Sequence, residues 1–114
     1  MSAELDISLR ISPETSTIVG CFGHKGRVHV MNNLYGSEEG LTVSALHSTF
    51  PGLDTTHNAI VNYLDFLKGE GLVVEGADHR YKFTDLGKLA FDAMAELSGK
   101  IKLLRDGMKA NRSA

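Results

Sequence analysis

The residues of this chain whose types could bind a metal or carry out nucleophilic catalysis are one cysteine and five histidines. The histidines are His24, His29, His47, His57 and His79. A zinc-binding helix requires two histidines four residues apart with a carboxylate beside them, and no two of these histidines have that spacing. Cys21 and His24 could act as a nucleophile and its base, but a buried thiol near a surface imidazole is commoner at this spacing. We expect no metal and no cofactor, and a redox-sensing Cys21 stays open as an alternative.

A second candidate for chemistry is the glycine-rich segment at residues 20–26, GCFGHKG, whose Lys25 suggests a phosphate-binding loop. The segment lacks the G-x-x-x-x-G-K-[ST] spacing, and no strand of the required kind leads into it. No pair of carboxylates for acid–base work and no catalytic triad stands out either. We therefore predict that the protein is not an enzyme.

Length and composition describe a single globular domain. The chain has 114 residues, of which 42% are hydrophobic, and this excludes a wholly disordered chain. Its apolar runs are far shorter than the roughly 18 residues that cross a membrane. The first residues do not resemble a signal peptide, and the single cysteine fits a reducing compartment. These features predict a cytoplasmic protein that has no membrane partner.

Charge is distributed unevenly along the chain, although the net charge is only −2. Residues 1–97 contain seven basic and thirteen acidic side chains, whereas residues 98–114 contain five basic side chains and one acidic side chain. The basic segment could contact a phosphate backbone, or its lysines and arginines could simply solvate the exposed face of a terminal helix. Both interpretations stay open from the sequence alone.

The elements that must position these residues begin with a strand and a short helix. Apolar and polar residues alternate over residues 4–11, a period of two that is typical of a half-buried strand. The apolar members are Leu5, Ile7, Leu9 and Ile11. This strand needs a partner from the same chain or from a second copy. Ser12 and Pro13 then predict the cap and first residue of a short helix. Its inward residues are predicted to be Ile18, Val19 and Phe22.

Three helices are predicted to follow, because the apolar residues recur at helical spacing from Gly26 onward. The first is predicted to bury Val28, Met31, Leu34 and Tyr35. The second, capped by Thr42, is predicted to bury Val43, Leu46 and Phe50. The third, capped by Asp54 or Thr55, is predicted to bury Ile60, Tyr63, Leu64 and Leu67.

A hairpin and a long helix complete the chain. Two short β-prone runs, residues 72–74 and 79–83, surround a polar tip that contains Gly76, which is typical of a hairpin. Thr84 is expected to cap the last helix. The predicted apolar side of that helix comprises Leu86, Leu89, Ala90, Ala93, Leu97, Ile101, Leu104 and Met108.

The second half of this last helix extends beyond what a three-helix core needs. Its apolar residues are Leu97, Ile101, Leu104 and Met108. Each of these side chains that stays in water loses about 1.5–3 kcal/mol of the stabilisation that burial would provide. The pattern therefore predicts a two-fold homodimer through this helix, helped by the N-terminal strand, and a frayed tail is the alternative.

Helix, helix, helix, hairpin and helix is the order of a winged helix-turn-helix domain. Residues 41–46, LTVSAL, resemble the second helix of such domains, and residues 55–73, TTHNAIVNYLDFLKGEGLV, resemble their recognition helix. Residues 81–87, YKFTDLG, are similar to the strand-to-helix step of bacterial and archaeal regulators of the MarR, PadR and ArsR types. The resemblance implies an α+β, mostly α, winged-helix fold with an arm at 1–25, a core at 26–97 and a C-terminal extension at 98–114.

The resemblance also implies that the third helix, at about 55–68, enters the DNA major groove and that the hairpin, at 75–82, contacts the minor groove or the backbone. Asn58 and Asn62 can read adenine, and Arg80 suits the minor groove, whereas Asp65 would repel phosphates. Ordinary surface polarity and a solvated hairpin tip are the alternatives for these residues. The candidate DNA-contacting residues are Lys25, Arg27, Ser44, His47, Thr55, His57, Asn58, Asn62, His79, Arg80 and Lys82.

The function expected from these patterns is sequence-specific binding of double-stranded DNA by a dimeric transcriptional regulator. One alternative is a winged-helix module that binds proteins and never touches DNA. A ligand- or redox-responsive regulator is another. Cations that share one face with Asn58 and Asn62 would favour DNA, whereas scattered cations and an exposed apolar patch would favour protein interaction.

Overall fold

The protein is mostly helical with one small antiparallel sheet, an α+β arrangement. The computed structural model describes residues 10–52 and 54–113. The N-terminal strand expected at 4–11 therefore lies almost wholly outside the described residues. The elements in chain order are α1 (Pro13–Gly20), a 3-10 turn (Cys21–Gly23), α2 (Lys25–Tyr35), α3 (Val43–His47), α4 (His57–Gly69), β1 (Val73–Glu75), β2 (Tyr81–Phe83) and α5 (Asp85–Ser113).

Helix α1 begins as the sequence predicts. The Ser12 hydroxyl accepts a hydrogen bond from the Thr15 backbone N–H at 3.1 Å, and Pro13 occupies the first turn, where its missing N–H has no consequence. The predicted inward face is only partly correct, because Ile18 is half-buried whereas Val19 is exposed. No residue of α1 is buried, so this helix lies on the surface of the core.

Helices α2, α3 and α4 form the core together with the hairpin. Its fully or almost fully buried residues are Cys21, Val30, Met31, Leu34, Leu46, Ile60, Leu64, Leu67, Leu72, Val73, Tyr81 and Phe83. Gly26 allows α2 and α4 to approach closely, since a Cβ atom there would collide with the Tyr63 ring. The predicted burial of Tyr35 is wrong: this residue is 54% exposed at the end of α2 and stacks on Phe91.

The cap of α4 is Thr56 rather than Asp54 or Thr55. The Thr56 side chain accepts a hydrogen bond from the Ala59 N–H at 3.1 Å, and its backbone is extended. Thr55 is instead held in the preceding loop, because its carbonyl oxygen accepts a hydrogen bond from His47 Nε2 at 2.9 Å. A tertiary contact therefore decides between adjacent residues that are equally good caps by type.

The hairpin packs directly against α4, and the loop after α2 pins it in place. Val73 pairs with Phe83 and Glu75 with Tyr81 in an antiparallel register. Leu41 adds a single bridge to Tyr81, with N–O distances of 2.9 and 2.8 Å in the two directions. Gly40 precedes this bridge at a φ of +89°, where any side chain would also meet the Tyr81 carbonyl. The bridge therefore depends on glycine at this position.

Helix α5 contacts the core through a narrower face than its apolar pattern predicts. Thr84 caps it as expected, accepting from the Gly87 N–H at 3.0 Å. Gly87 and Phe91 make the inward contacts, and the Phe91 ring lies 5.6 Å from the Phe83 ring. Leu86 and Leu89, the first residues of the predicted apolar side, do not pack into the core, because these side chains are 44% and 68% exposed. Close packing at Gly87 rotates the helix so that these leucines point away from the core.

The part of the chain that the structure describes contains no helix that is both long and apolar enough to cross a membrane.

Candidate nucleic-acid interface

The outer face of α4 presents three polar side chains to solvent. Asn58, Asn62 and Asp65 are all exposed on this face, opposite the buried Ile60, Leu64 and Leu67. Among the described residues neither asparagine amide forms a hydrogen bond, so both amides are available to an external partner. An amide can donate and accept at once, which is the chemistry that reads the edge of adenine.

The start of α4 is fixed by a pair of histidines. The His47 and His57 rings lie 4.3 Å apart, and His47 Nε2 donates to the Thr55 carbonyl. This contact ties the end of α3 to the loop that leads into α4. His57 is exposed beside Asn58, whereas His47 and Thr55 are half-buried and serve to hold the loop. Ser44 is exposed on α3, but within the described residues its side chain has no contact with this group.

Lys25 lies close to the entry of α4, across a shallow depression. That depression is lined by the first turn of α2, by the α3–α4 loop and by α4, with Lys25, Phe50, Thr55 and Tyr63 among its residues. Neither α2 nor α4 has an acidic residue in its first turn, in contrast to α5, which has Asp85 there. Both helix N-termini therefore contribute partial positive charge near Lys25, although the exposed Asp54 lies two residues before the Thr56 cap of α4.

Arg27 does not share this surface, although the sequence places it among the DNA-contacting candidates. Its guanidinium donates to the carbonyl oxygens of Cys21 at 3.0 Å and Gly20 at 3.3 Å. The same group lies 4.2 Å from the centroid of the Phe66 ring. Arg27 thus joins the turn after α1 to α4, and we assign it a structural role. Helical spacing alone contains no signal for this role.

The cations of the hairpin are paired with neighbouring carboxylates. Arg80 lies 3.4 Å from Asp78 and 3.8 Å from Glu39, and His79 lies 3.1 Å from Glu75. The hydrogen bond from His79 holds the pKa of the Glu75 carboxyl below its usual value. These pairs are solvent-exposed, so each contributes little to stability and can open when a phosphate approaches.

Lys82 lies apart from the hairpin tip. It lines a depression together with Glu38, Asp85 and Asp92, between the end of α2 and the start of α5. The structure therefore places Lys25 and Thr55 on one depression, with His57 and Asn58 following Thr55 along the chain, and leaves Lys82 outside that group. Three carboxylates share this depression with Lys82 and Lys88, so its net charge is negative and Lys82 is a poor phosphate ligand.

Helix α5 exposes an apolar surface that has two parts. The first is a groove of about 550 Å³ between α1 and α5, which we call the proximal groove. Its apolar lining is Ile18, Leu86, Leu89, Ala90 and Ala93. The second part, the distal stripe, is the set predicted to mediate dimerisation: Leu97, Ile101, Leu104 and Met108, which are between 44% and 69% exposed. The sequence predicts the stripe but not the groove, because α1 supplies one wall.

Cys21 is the first residue of the 3-10 turn and is wholly buried. Burial, followed by the charge of Glu70, raises the pKa of its thiol above the ordinary value, so the reactive thiolate is disfavoured. Its sulfur lies 3.6 Å from the Thr17 carbonyl oxygen. Among the described residues, no three His, Cys, Asp or Glu side chains lie close enough together to hold a metal ion.

The comparison with known proteins adds no relative. The chain matches no protein-family model, no curated protein and no solved structure. The likeness to winged-helix regulators therefore rests on the quoted motifs, on the order of the elements and on the bridge between Leu41 and Tyr81.

Proposed function

We propose that this chain is a winged-helix protein that binds double-stranded DNA as a dimeric transcriptional regulator. The observation that carries the proposal is the outer face of α4, where Asn58 and Asn62 are exposed and form no hydrogen bond among the described residues. The hairpin follows α4 directly, as the wing follows the recognition helix in such domains, and Leu41 adds a single bridge to its second strand. In this proposal α4 lies in the major groove and its two amides read base edges.

Contacts to the phosphate backbone come mainly from the entry of α4. Lys25 supplies a full charge there, and the N-termini of α2 and α4 supply partial ones. Arg80 contributes when the approaching DNA separates it from Asp78 and Glu39. Because Asp65 is on the same face and Arg27 is occupied, few phosphates are neutralised, and we expect a shallow dependence of affinity on salt.

A second candidate function is a winged-helix module that binds another protein and not DNA. The observation that favours it is the dispersal of the cations away from Asn58 and Asn62, which is the arrangement expected of a protein-binding module: Arg27 and Arg80 are engaged by groups of the same chain, and Lys82 lies in a separate depression. The distal stripe supplies an exposed apolar surface for such a partner.

A duplex titration distinguishes the two functions. We expect anisotropy of a labelled random duplex to rise at about 50 mM salt and the affinity to fall at about 200 mM with a slope equivalent to a handful of phosphates. Arg80→Ala should weaken binding to every sequence. Absence of binding at about 50 mM salt and tens of micromolar protein would overturn the DNA proposal and favour the protein-binding module.

The base-reading role needs its own variants on a selected duplex. Asn58→Ala and Asn62→Ala should each reduce discrimination between sequences by about 1–3 kcal/mol at one base pair. The matched control is Asn32→Ala, which removes an exposed asparagine from α2 and should leave discrimination unchanged. Equal effects of all three variants on discrimination would show that the α4 amides are ordinary polar groups of a helix surface and do not read bases.

A further inference from the structure

The proximal groove and the distal stripe form one continuous surface on α5. At about 100° per residue, Leu86, Ala90 and Ala93 of the groove lie within about 40° of the line that contains the four residues of the distal stripe. Within the described residues both parts are largely open to solvent: Leu86 and Leu97 are 44% and 46% exposed, although Ile18 and Ala90 pack partly against the core. Whatever covers this surface must match its shape and its charge along the whole helix.

The two parts are complementary in size. The floor of the proximal groove contains the small residues Ala90 and Ala93, whereas the distal stripe presents the larger Ile101, Leu104 and Met108. If two copies of α5 lie antiparallel with Leu97 at the centre, Ala90 faces Leu104 and Ala93 faces Ile101, while Leu86 faces Met108 at the outer end of each contact. Large side chains then fill the spaces beside small ones, which is how close-packed interfaces are built. Two parallel copies would set alanine against alanine and leave the groove unfilled.

The two parts are also complementary in charge. The polar rim of the proximal groove includes the carboxylates of Glu14 and Glu70. The distal half of α5 is basic: it has Lys102 and Arg105 against the single acidic residue Asp106, together with Lys100, which pairs with Glu96 of the same helix at 3.2 Å. An antiparallel arrangement brings this basic half to the acidic groove of the partner, whereas a parallel one places the two basic halves side by side.

We propose that the proximal groove of each copy is occupied by the distal stripe of a second copy, in an antiparallel two-fold dimer centred near Leu97. The inference rests on the dimer in the proposed function and deepens it by assigning the orientation and the occupant of the groove. The arrangement is isologous, so both grooves are filled by one contact repeated twice. It also accounts for the length of α5, which has 29 residues and extends about 43 Å at the standard rise.

Disulfide cross-linking between two differently tagged variants tests the orientation. A mixture of Ala93→Cys and Ile101→Cys should form a heterodimeric disulfide under a mild oxidant, because these positions face each other only in the antiparallel register. Ile101→Cys alone should not cross-link to itself, since the two copies of residue 101 are then about 12 Å apart along the helices, too far for a disulfide. Cys21 can stay in place because it is buried, and the unmodified chain is the control for it.

The outcomes separate this inference from the DNA proposal. Self-cross-linking of Ile101→Cys would show a parallel dimer and overturn the inference. Absence of the mixed disulfide, or a monomeric mass by light scattering at about 100 micromolar, would also overturn it and leave the groove to another occupant. All samples are measured without DNA, so an antiparallel dimer that fails to bind duplex sustains this inference and contradicts only the proposed DNA binding. Melting curves of both variants confirm that they are folded.

Discussion

At the residue scale, the guanidinium of Arg27 links three parts of the fold. It donates to two carbonyl oxygens of the segment after α1 and covers the exposed ring of Phe66 on α4. A planar guanidinium can form both hydrogen bonds and the stacking contact at once, which a lysine ammonium cannot. The position therefore selects arginine for its geometry and not only for its charge.

Arg27→Lys should lower the free energy of unfolding by about 1–3 kcal/mol, because hydrogen bonds and the cation–π contact are lost while the charge is kept. The duplex affinity of the folded fraction should not change. Urea unfolding and the duplex titration measure the two effects. Lys25→Ala is the control. Its free energy of unfolding should stay within about 0.5 kcal/mol of the parent value, whereas its duplex binding should weaken. Unchanged stability of Arg27→Lys would contradict the structural role.

Cys21 should react with iodoacetamide slowly in the native protein and rapidly in urea. Burial hides the sulfur, and the raised pKa of its thiol lowers the thiolate fraction at neutral pH. Mass spectrometry after timed quenching measures the rate. Ser98→Cys places a thiol at an exposed position of α5 and provides the reference rate. Native labelling of Cys21 as fast as that reference would reopen a redox-sensing role.

At the element scale, the packing of α5 depends on the absence of a side chain at Gly87. A Cβ atom there would collide with the Leu72 carbonyl oxygen and lie 2.7 Å from the Phe83 ring. The helix therefore approaches the backbone of the segment that enters β1. This contact sets the rotation of α5 and thereby decides which of its residues face solvent.

Gly87→Ala should lower the free energy of unfolding by about 1–3 kcal/mol or more, since an overpacked contact with rigid backbone cannot relax easily. Gly99→Ala is the matched control in the same helix, where nothing lies within 4 Å of the added methyl group. It should raise stability by up to about 1 kcal/mol through helix propensity alone. Thermal melting of the two variants measures both effects. Equal changes in the two would contradict the close approach at Gly87.

At the scale of the whole molecule, the chain combines an acidic body with a basic end of α5. The two regions are not required to neutralise each other within one copy. The body contains thirteen acidic side chains in residues 1–97, and the end contains five basic ones in residues 98–114. In the proposed dimer, each region would meet its opposite charge on the second copy, and the exposed distal stripe would be covered at the same time.

Leu97→Glu combined with Leu104→Glu should give a folded monomer with much weaker duplex binding, because two charges would then have to be buried in the interface. Light scattering at about 100 micromolar and the melting curve measure assembly and folding. The control is Leu103→Glu, which changes a leucine that is 75% exposed and lies about 120° away from the stripe. Loss of the dimer in that control would place the interface on another face of α5.

The sequence by itself determines the elements that depend on local chemistry. The caps at Ser12, Thr42 and Thr84 form as expected because each hydroxyl reaches a backbone N–H three residues on. The buried stripe of α4 at Ile60, Leu64 and Leu67 follows from helical periodicity. The order and type of these elements can be predicted without knowledge of the rest of the fold, because they depend on residues that are neighbours along the chain.

Only the tertiary structure decides which face an element turns inward and which polar groups stay free. Leu86 and Leu89 fit the apolar pattern of α5, yet the approach at Gly87 turns them outward. Arg27 and Arg80 look alike in the sequence, but one is committed to carbonyl oxygens and the other to exposed carboxylates. The physical reason is that these outcomes depend on atoms distant along the chain. Periodicity and residue type describe only what a residue can do, and its neighbours in space determine what it does.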